Sequence, residues 1–223
     1  MHANKRPFSR RSMLAAPVLL AGFGAMTANR SATAATPLKL VALGDSLTAG
    51  YLLPADAAFP VVLEKALRAR GHVIEITNAG VSGDTTAGGL ARLDWSVPDG
   101  TRGVILELGA NDALRGLDPK QAEQNLEAMI AGLKGRGIRV LLAGMLAPRN
   151  NGPDYAAAFD AIYPRLAARH GLRLYPFFLD GVMGEAGMTL PDQMHPSRKG
   201  VETIVARILP TVESFIADIS AGR

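Results

Sequence analysis

The chain has 223 residues, a 48% hydrophobic fraction, 24 glycines, 14 prolines and no cysteine. That composition excludes disordered and fibrous classes, a disulfide scaffold, a C-x-x-C redox motif and a thiolate zinc site. The formal charge of +4 originates in residues 1–35, where Lys5, Arg6, Arg10, Arg11 and Arg30 stand without an acid; these five leave 19 of the 24 basic residues against 20 acids, with no basic run of the kind a nucleic-acid surface needs.

In chain order, the first segment reads as an export leader. A basic start precedes an apolar stretch at 13–28, followed by the small-residue segment Ser31-Ala32-Thr33-Ala34-Ala35. Pro17, Gly22 and Gly24 interrupt the apolar stretch, which is too short for a good membrane span. Ser9-Arg10-Arg11-Ser12-Met13-Leu14 resembles a twin-arginine (Tat) signal, so cleavage after Ala34 or Ala35 and a periplasmic or secreted product are expected. An uncleaved N-terminal anchor is the alternative.

Residues 36–223 read as one domain. Short apolar runs at 38–43, 73–78, 104–108, 138–143 and 172–175 predict strands. Helices are expected at 57–70, 85–94, 119–136, 155–170 and 198–219, the last kinked or split by Pro210. Gly71, Gly137 and Gly171 follow three of them, where a left-handed C-cap is wanted. Five strands alternating with helices imply an α/β fold with a parallel, doubly wound sheet covered on both faces. Ligands in such sheets sit at the carboxyl ends of the strands, so the residues after each strand carry the functional information.

After the first strand comes Gly44-Asp45-Ser46-Leu47, which either presents a serine hydroxyl at the sheet edge or simply caps a helix. After the second comes Asn78-Ala79-Gly80-Val81-Ser82-Gly83-Asp84, a glycine-rich loop with backbone N–H groups to offer, or an ordinary turn. After the third, Gly109-Ala110-Asn111-Asp112 supplies a side-chain amide or a turn-favouring pair. A serine nucleophile needs a base. His2 lies in the leader, His72 at the opposite sheet edge and His170 at a helix end, which leaves His195. It stands three residues after Asp192 in a proline-bracketed loop, a spacing that suits an acid orienting an imidazole and equally a capped turn beside a solvated histidine. No H-E-x-x-H, hard-cation loop or nucleotide-binding glycine motif is present, so neither a metal nor another cofactor is expected.

Taken together, G-D-S-L at 44–47, S-G-D at 82–84, G-x-N-D at 109–112 and D-x-x-H-P at 192–196 occur in the order of the SGNH, or GDSL, hydrolase family, which the chain resembles from about Lys39 to Pro210. More narrowly it is similar to the bacterial periplasmic group of thioesterases, lysophospholipases and arylesterases. The resemblance implies a flavodoxin-like three-layer α/β/α sandwich with a five-stranded parallel sheet, and cofactor-free hydrolysis of esters and thioesters, lysophospholipid among the substrates. It implies Ser46 as nucleophile, Asp192 and His195 as acid and base, and Ser46, Gly83 and Asn111 as oxyanion donors. Ala110 stands where the family often has glycine. Asp45 is expected to accept backbone hydrogen bonds that hold the nucleophile's turn.

Loops flanking this constellation place Leu114, Leu117, Met145 and Leu146 on the expected acyl-binding side, with Arg115 and Arg149 able to meet an anionic head group. A medium or long acyl chain is the expected substrate, no nucleic-acid partner and no stable membrane span after leader cleavage are expected, and a monomer is expected. The rivals are a carbohydrate O-acetylesterase, disfavoured by a single tryptophan and 5% aromatics, and a non-catalytic lipid- or glycan-binding module.

Overall fold

A computed structural model describes residues 1–3 and 36–222, so all but the first three residues of the expected leader lie outside the described residues. The described elements belong to one unit, Ala35–Arg223. In chain order they are β1 (Leu38–Gly44), α1 (Ser46–Ala49), α2 (Phe59–Ala69), β2 (Ile74–Gly80), α3 (Thr86–Ala91), α4 (Leu93–Ser96), β3 (Gly103–Glu107), α5 (Ala110–Leu114), α6 (Pro119–Gly135), β4 (Arg139–Ala143), α7 (Pro153–Asp160), α8 (Ile162–His170), β5 (Arg173–Tyr175) and α9 (Arg198–Ser220). All neighbouring strands pair in parallel in the order β2-β1-β3-β4-β5. This is the flavodoxin-type order, with its switch point between β1 and β3.

Burial follows from sheet position. β3 and the last five residues of β1 are wholly buried, which is why they are near-continuous apolar runs. Helix α2 packs on α9 on one side of the sheet, and α6 packs on α3 and α8 on the other. Helix α2 buries Phe59, Leu63 and Leu67, a four-residue spacing that lines one stripe, and Phe59 meets Phe178 edge to face at 4.9 Å.

Four element boundaries depart from the sequence expectation. β2 continues past the expected end at Asn78 to Gly80, because Ala79 and Gly80 complete the ladder with Leu43 and Gly44, although the glycine-rich segment reads as a loop. The helix expected at 155–170 is two helices meeting at Ala161. Pro164 explains the break, since its ring removes one amide donor and crowds the carbonyl four residues earlier. The helix expected at 85–94 is likewise two, separated at Arg92, whose side chain is drawn inward. Pro210, in contrast, does not split α9. It lies on the solvent side, while Ile208, Leu209 and Val212 stay buried across it, and Ser214 Oγ donates to its carbonyl at 2.9 Å. No helix among the described residues is long and apolar enough to cross a membrane.

Candidate active site

The site assembles at the carboxyl edge of the sheet, where β1, β2 and β3 release their loops. Ser46 is the first residue of α1, and Asp45 is its N-cap, with Oδ1 accepting the Leu47 N–H at 2.9 Å. The tight exit from β1 requires Gly44: a Cβ there would collide with Thr48 Oγ1 and stand 2.7 Å from the Glu107 carbonyl oxygen. With the strand turning this sharply into the helix, Ser46 is held at 8% exposure, with its hydroxyl toward the cleft.

His195 arrives from the loop before α9. Its Nε2 lies 2.9 Å from Ser46 Oγ, and its Nδ1 lies 2.7 Å from Asp192 Oδ2. Asp192 Oδ1 accepts the N–H groups of Met194 and His195 at 2.9 and 3.0 Å. The loop closes on itself, because Leu190 N donates to the His195 carbonyl at 2.7 Å and Gln193 takes a positive φ of 59° at the turn. Those two amides and His195 hold the Asp192 carboxyl down at about 2. The Asp192 charge is therefore aimed at Nδ1, which makes Nε2 the acceptor for the serine proton. Tyr51 lies against the imidazole, with ring centroids 4.5 Å apart.

Two loops are tied to the serine's turn, one by Val81 N donating to the Gly44 carbonyl at 3.0 Å and the other by Asn111. Of their expected oxyanion donors, Asn111 lines the cleft with Ser46 and Gly83 does not. Gly83, with φ of 85°, turns the peptide after β2, and Arg115 donates to its carbonyl at 2.8 Å. Asn111 stands in the first turn of α5, and its Nδ2 donates to the Asp84 carbonyl at 2.9 Å and to Asp45 Oδ2 at 3.1 Å. Asp112, the next residue, is buried and anchors α5 instead of facing the cleft: its carboxylate accepts from Thr86 N at 2.8 Å and Thr86 Oγ1 at 2.6 Å.

Beneath the serine lie two buried carboxyls. Burial is the main cause that lifts Asp45 to about 6, against the pull of the Leu47 amide, His195 and Asn111. Glu107, at the end of β3, is pushed well above the usual carboxylate range by burial and then by Asp45. Thr48 Oγ1 donates to Glu107 Oε2 at 2.8 Å, while Oε1 has no partner, as suits a protonated acid.

Arg92 ties these pieces together. Its Nε donates to Asp84 Oδ2 at 2.6 Å, one terminal nitrogen reaches the Ala79 carbonyl at 2.8 Å and Ser96 Oγ at 3.0 Å, and the other reaches the Gly44 carbonyl at 2.8 Å. One buried guanidinium thus joins the ends of β1 and β2 to the loop that carries Gly83.

A cleft of about 400 Å³ opens beside Ser46, Asn111 and His195. Leu114, Met145 and Leu146, expected on the acyl side, line it. Leu117 does not. It is 41% exposed outside the cleft, with its carbonyl engaged by Tyr155 Oη at 2.8 Å and its N–H by the Asp112 carbonyl at 2.9 Å. Arg115 lies outside the lining and donates to the Gly83 carbonyl, whereas Arg149 lines the cleft and pairs with Asp160 at 2.7 Å. Leu47, Phe177, Leu179 and Met183 also line the cleft. Sequence reasoning passed over the last three, although Phe177 follows β5 directly and the strand-end rule applies there too. It also assigned no role to Arg92, Glu107 or Tyr51. Among the described residues no group of three or more His, Asp or Glu side chains could hold a metal ion.

Comparisons with known proteins identify the family. The family model for the GDSL-like lipase/acylhydrolase family matches residues 42–202. Esterase TesA of Pseudomonas aeruginosa is 38% identical over 79% of this chain and 89% of its own length. Thioesterase 1/protease 1/lysophospholipase L1 of Escherichia coli is 41% identical over 71% of this chain and 76% of its own. The crystal structure of AlinE4, an SGNH-hydrolase family esterase, is 43% identical and superposes with a TM-score of 0.70, covering 82% of this chain and 98% of that one. With a doubly wound sheet, a strand-end serine and a match over most of its length, the chain belongs to the GDSL-like lipase/acylhydrolase family.

Proposed function

We propose that the chain is an exported serine esterase that hydrolyses carboxylic esters and thioesters through a Ser46–His195–Asp192 triad and an acyl-enzyme. The observation that carries the reading is the unbroken hydrogen-bond chain from Ser46 Oγ through His195 to Asp192, with distances of 2.9 and 2.7 Å, at the mouth of an apolar cleft. His195 Nε2 takes the hydroxyl proton as Ser46 Oγ bonds to the acyl carbon. The oxyanion of the tetrahedral intermediate is met by the N–H groups of Ser46 and Gly83 and by the Asn111 amide. His195 returns the proton to the leaving alcohol or thiol as its bond to the acyl carbon breaks. Water then repeats the sequence and releases the carboxylic acid, restoring the serine. The ionised Asp192 holds the imidazole tautomer and stabilises the imidazolium.

Leu47, Met145, Leu146, Phe177, Leu179 and Met183 support a medium or long acyl chain, lysophospholipids included, because each buried methylene contributes about 0.8 kcal/mol of binding. The basic start, apolar stretch and paired arginines of residues 1–35 support export to the periplasm or medium. The test is a series of p-nitrophenyl esters from acetate to palmitate run beside an acyl-CoA. We expect kcat/KM to rise from acetate to octanoate, and a maximum at acetate would refute the acyl-chain assignment.

A further inference from the structure

The amide of Asn111 is not free in the resting site. Its two Nδ2 hydrogens go to the Asp84 carbonyl at 2.9 Å and to Asp45 Oδ2 at 3.1 Å. Asp45 is wholly buried and directly precedes Ser46, and its other oxygen takes the Leu47 amide at 2.9 Å in the serine's own turn. One carboxylate therefore bridges the element that carries the nucleophile and the element that carries the amide donor, which are otherwise 65 residues apart.

We infer that Asp45 is a positioning residue for the reaction proposed above: its ionised carboxylate fixes the plane of the Asn111 amide relative to Ser46, so that the donor is aligned before the oxyanion forms. The argument is geometric. An asparagine side chain turns about two torsions, and the Asp84 carbonyl alone restrains only one of its hydrogens. The second restraint comes from Asp45 through a charge-assisted bond. The longer of the two bonds, the one to Asp45, is the one that a developing oxyanion can share as a three-centre bond without breaking the hold of Asp84. Preorganised donors act on transition-state charge, so the predicted signature lies in kcat with little change in KM.

Charge around Asp45 comes from every side: Glu107 from β3, Asp84 and Arg92 from the loop and helices after β2, Tyr163 from α8, and His195 from the loop before α9. With burial lifting Asp45 to about 6, the carboxylate is ionised above that pH and the restraint is present there.

The test is a double-mutant cycle on a p-nitrophenyl ester at pH 8. Asp45→Asn keeps an oxygen for the Leu47 amide but turns an NH2 toward the Asn111 NH2, so only the bridge is lost. It should lower kcat by roughly 10- to 100-fold, the worth of a charge-assisted bond, with KM nearly constant. In an Asn111→Ala background the same substitution should cost less than about threefold. Equal losses in both backgrounds would overturn the inference while leaving the esterase reading intact. An unchanged kcat in Asn111→Ala would overturn the inference together with the oxyanion role of Asn111. A second readout needs no change at Asp45: in the wild type kcat should show a bounded step of roughly 10- to 100-fold as Asp45 takes up its proton near pH 6, and in Asn111→Ala that step should vanish. The same step in both proteins would overturn the inference.

Discussion

Arg92→Met removes the guanidinium that joins three strand and loop ends, and its cost follows from the bonds it breaks. The side chain is 7% exposed, and its ion-pair partner Asp84 is 19% exposed, so solvent does little to replace what is lost. Methionine fills much of the same volume but leaves the Asp84 carboxylate, the carbonyls of Ala79 and Gly44, and Ser96 Oγ without their donors. Removing one partner of a buried ion pair costs about 3–5 kcal/mol, because the remaining charge is stranded. For a domain of this size each kcal/mol moves Tm by about 2–4 °C, so calorimetry should show a fall of roughly 6–20 °C. The activity should fall at temperatures well below Tm as well, since the Gly83 loop loses its tie to β1. Adding Asp84→Asn to Arg92→Met should recover part of the stability by discharging the stranded carboxylate. A fall in Tm of less than about 2 °C for Arg92→Met, a loss of under about 1 kcal/mol, would refute the reasoning.

Glu107 and Asp192 give opposite pH signatures. Glu107 is raised by burial, so whatever stability its proton supplies is present below the ordinary carboxylate value of 4.5 and is lost as pH rises toward the raised value. Glu107→Gln mimics the protonated acid, and denaturant midpoints should show the variant gaining on the wild type from pH 5 to pH 9; a constant difference would contradict a buried neutral glutamic acid. Asp192 is lowered to about 2 from 3.8, so the stability it adds is complete above about pH 4 and disappears as pH falls toward 2. The melting difference between wild type and Asp192→Asn should shrink over that interval, and a difference still undiminished at pH 2 would refute the assignment.

The parts of the architecture that were legible from sequence share a physical cause. The interior strands β1 and β3 are buried on both faces, so their apolar runs stand out, and the parallel order follows from alternation with helices. The end of β2 was not legible, because Ala79 and Gly80 enter the sheet through backbone pairing with β1, to which side-chain character is blind. Asp192 and His195 share a short spacing that suits an oriented imidazole, but Ser46 lies 149 residues from His195 and was joined to them only through the order of motifs that the chain shares with the family. Glu107 and Arg92 could not be read in that way. A glutamate ending an apolar strand looks like a solvent-facing boundary, and only the fold brings Thr48, 59 residues away, to its carboxyl. Arg92 sits where helical periodicity runs on, and the three backbone ends that it joins are adjacent only once the sheet exists. The misplacement of Leu117 has a local reason: the chain turns away after α5 as Leu117 N bonds the Asp112 carbonyl, so Leu114 faces the cleft and Leu117 faces out.

The central claim is that Ser46 forms the acyl bond, and active-site labelling tests it most directly. The enzyme would be titrated with a serine-directed fluorophosphonate, with residual esterase activity and the modified peptide followed together by mass spectrometry. One adduct per chain is predicted, on Ser46, with activity falling in proportion to its occupancy and no adduct on Ser46→Ala. Complete inactivation with Ser46 unmodified, or full activity with Ser46 fully modified, would contradict it.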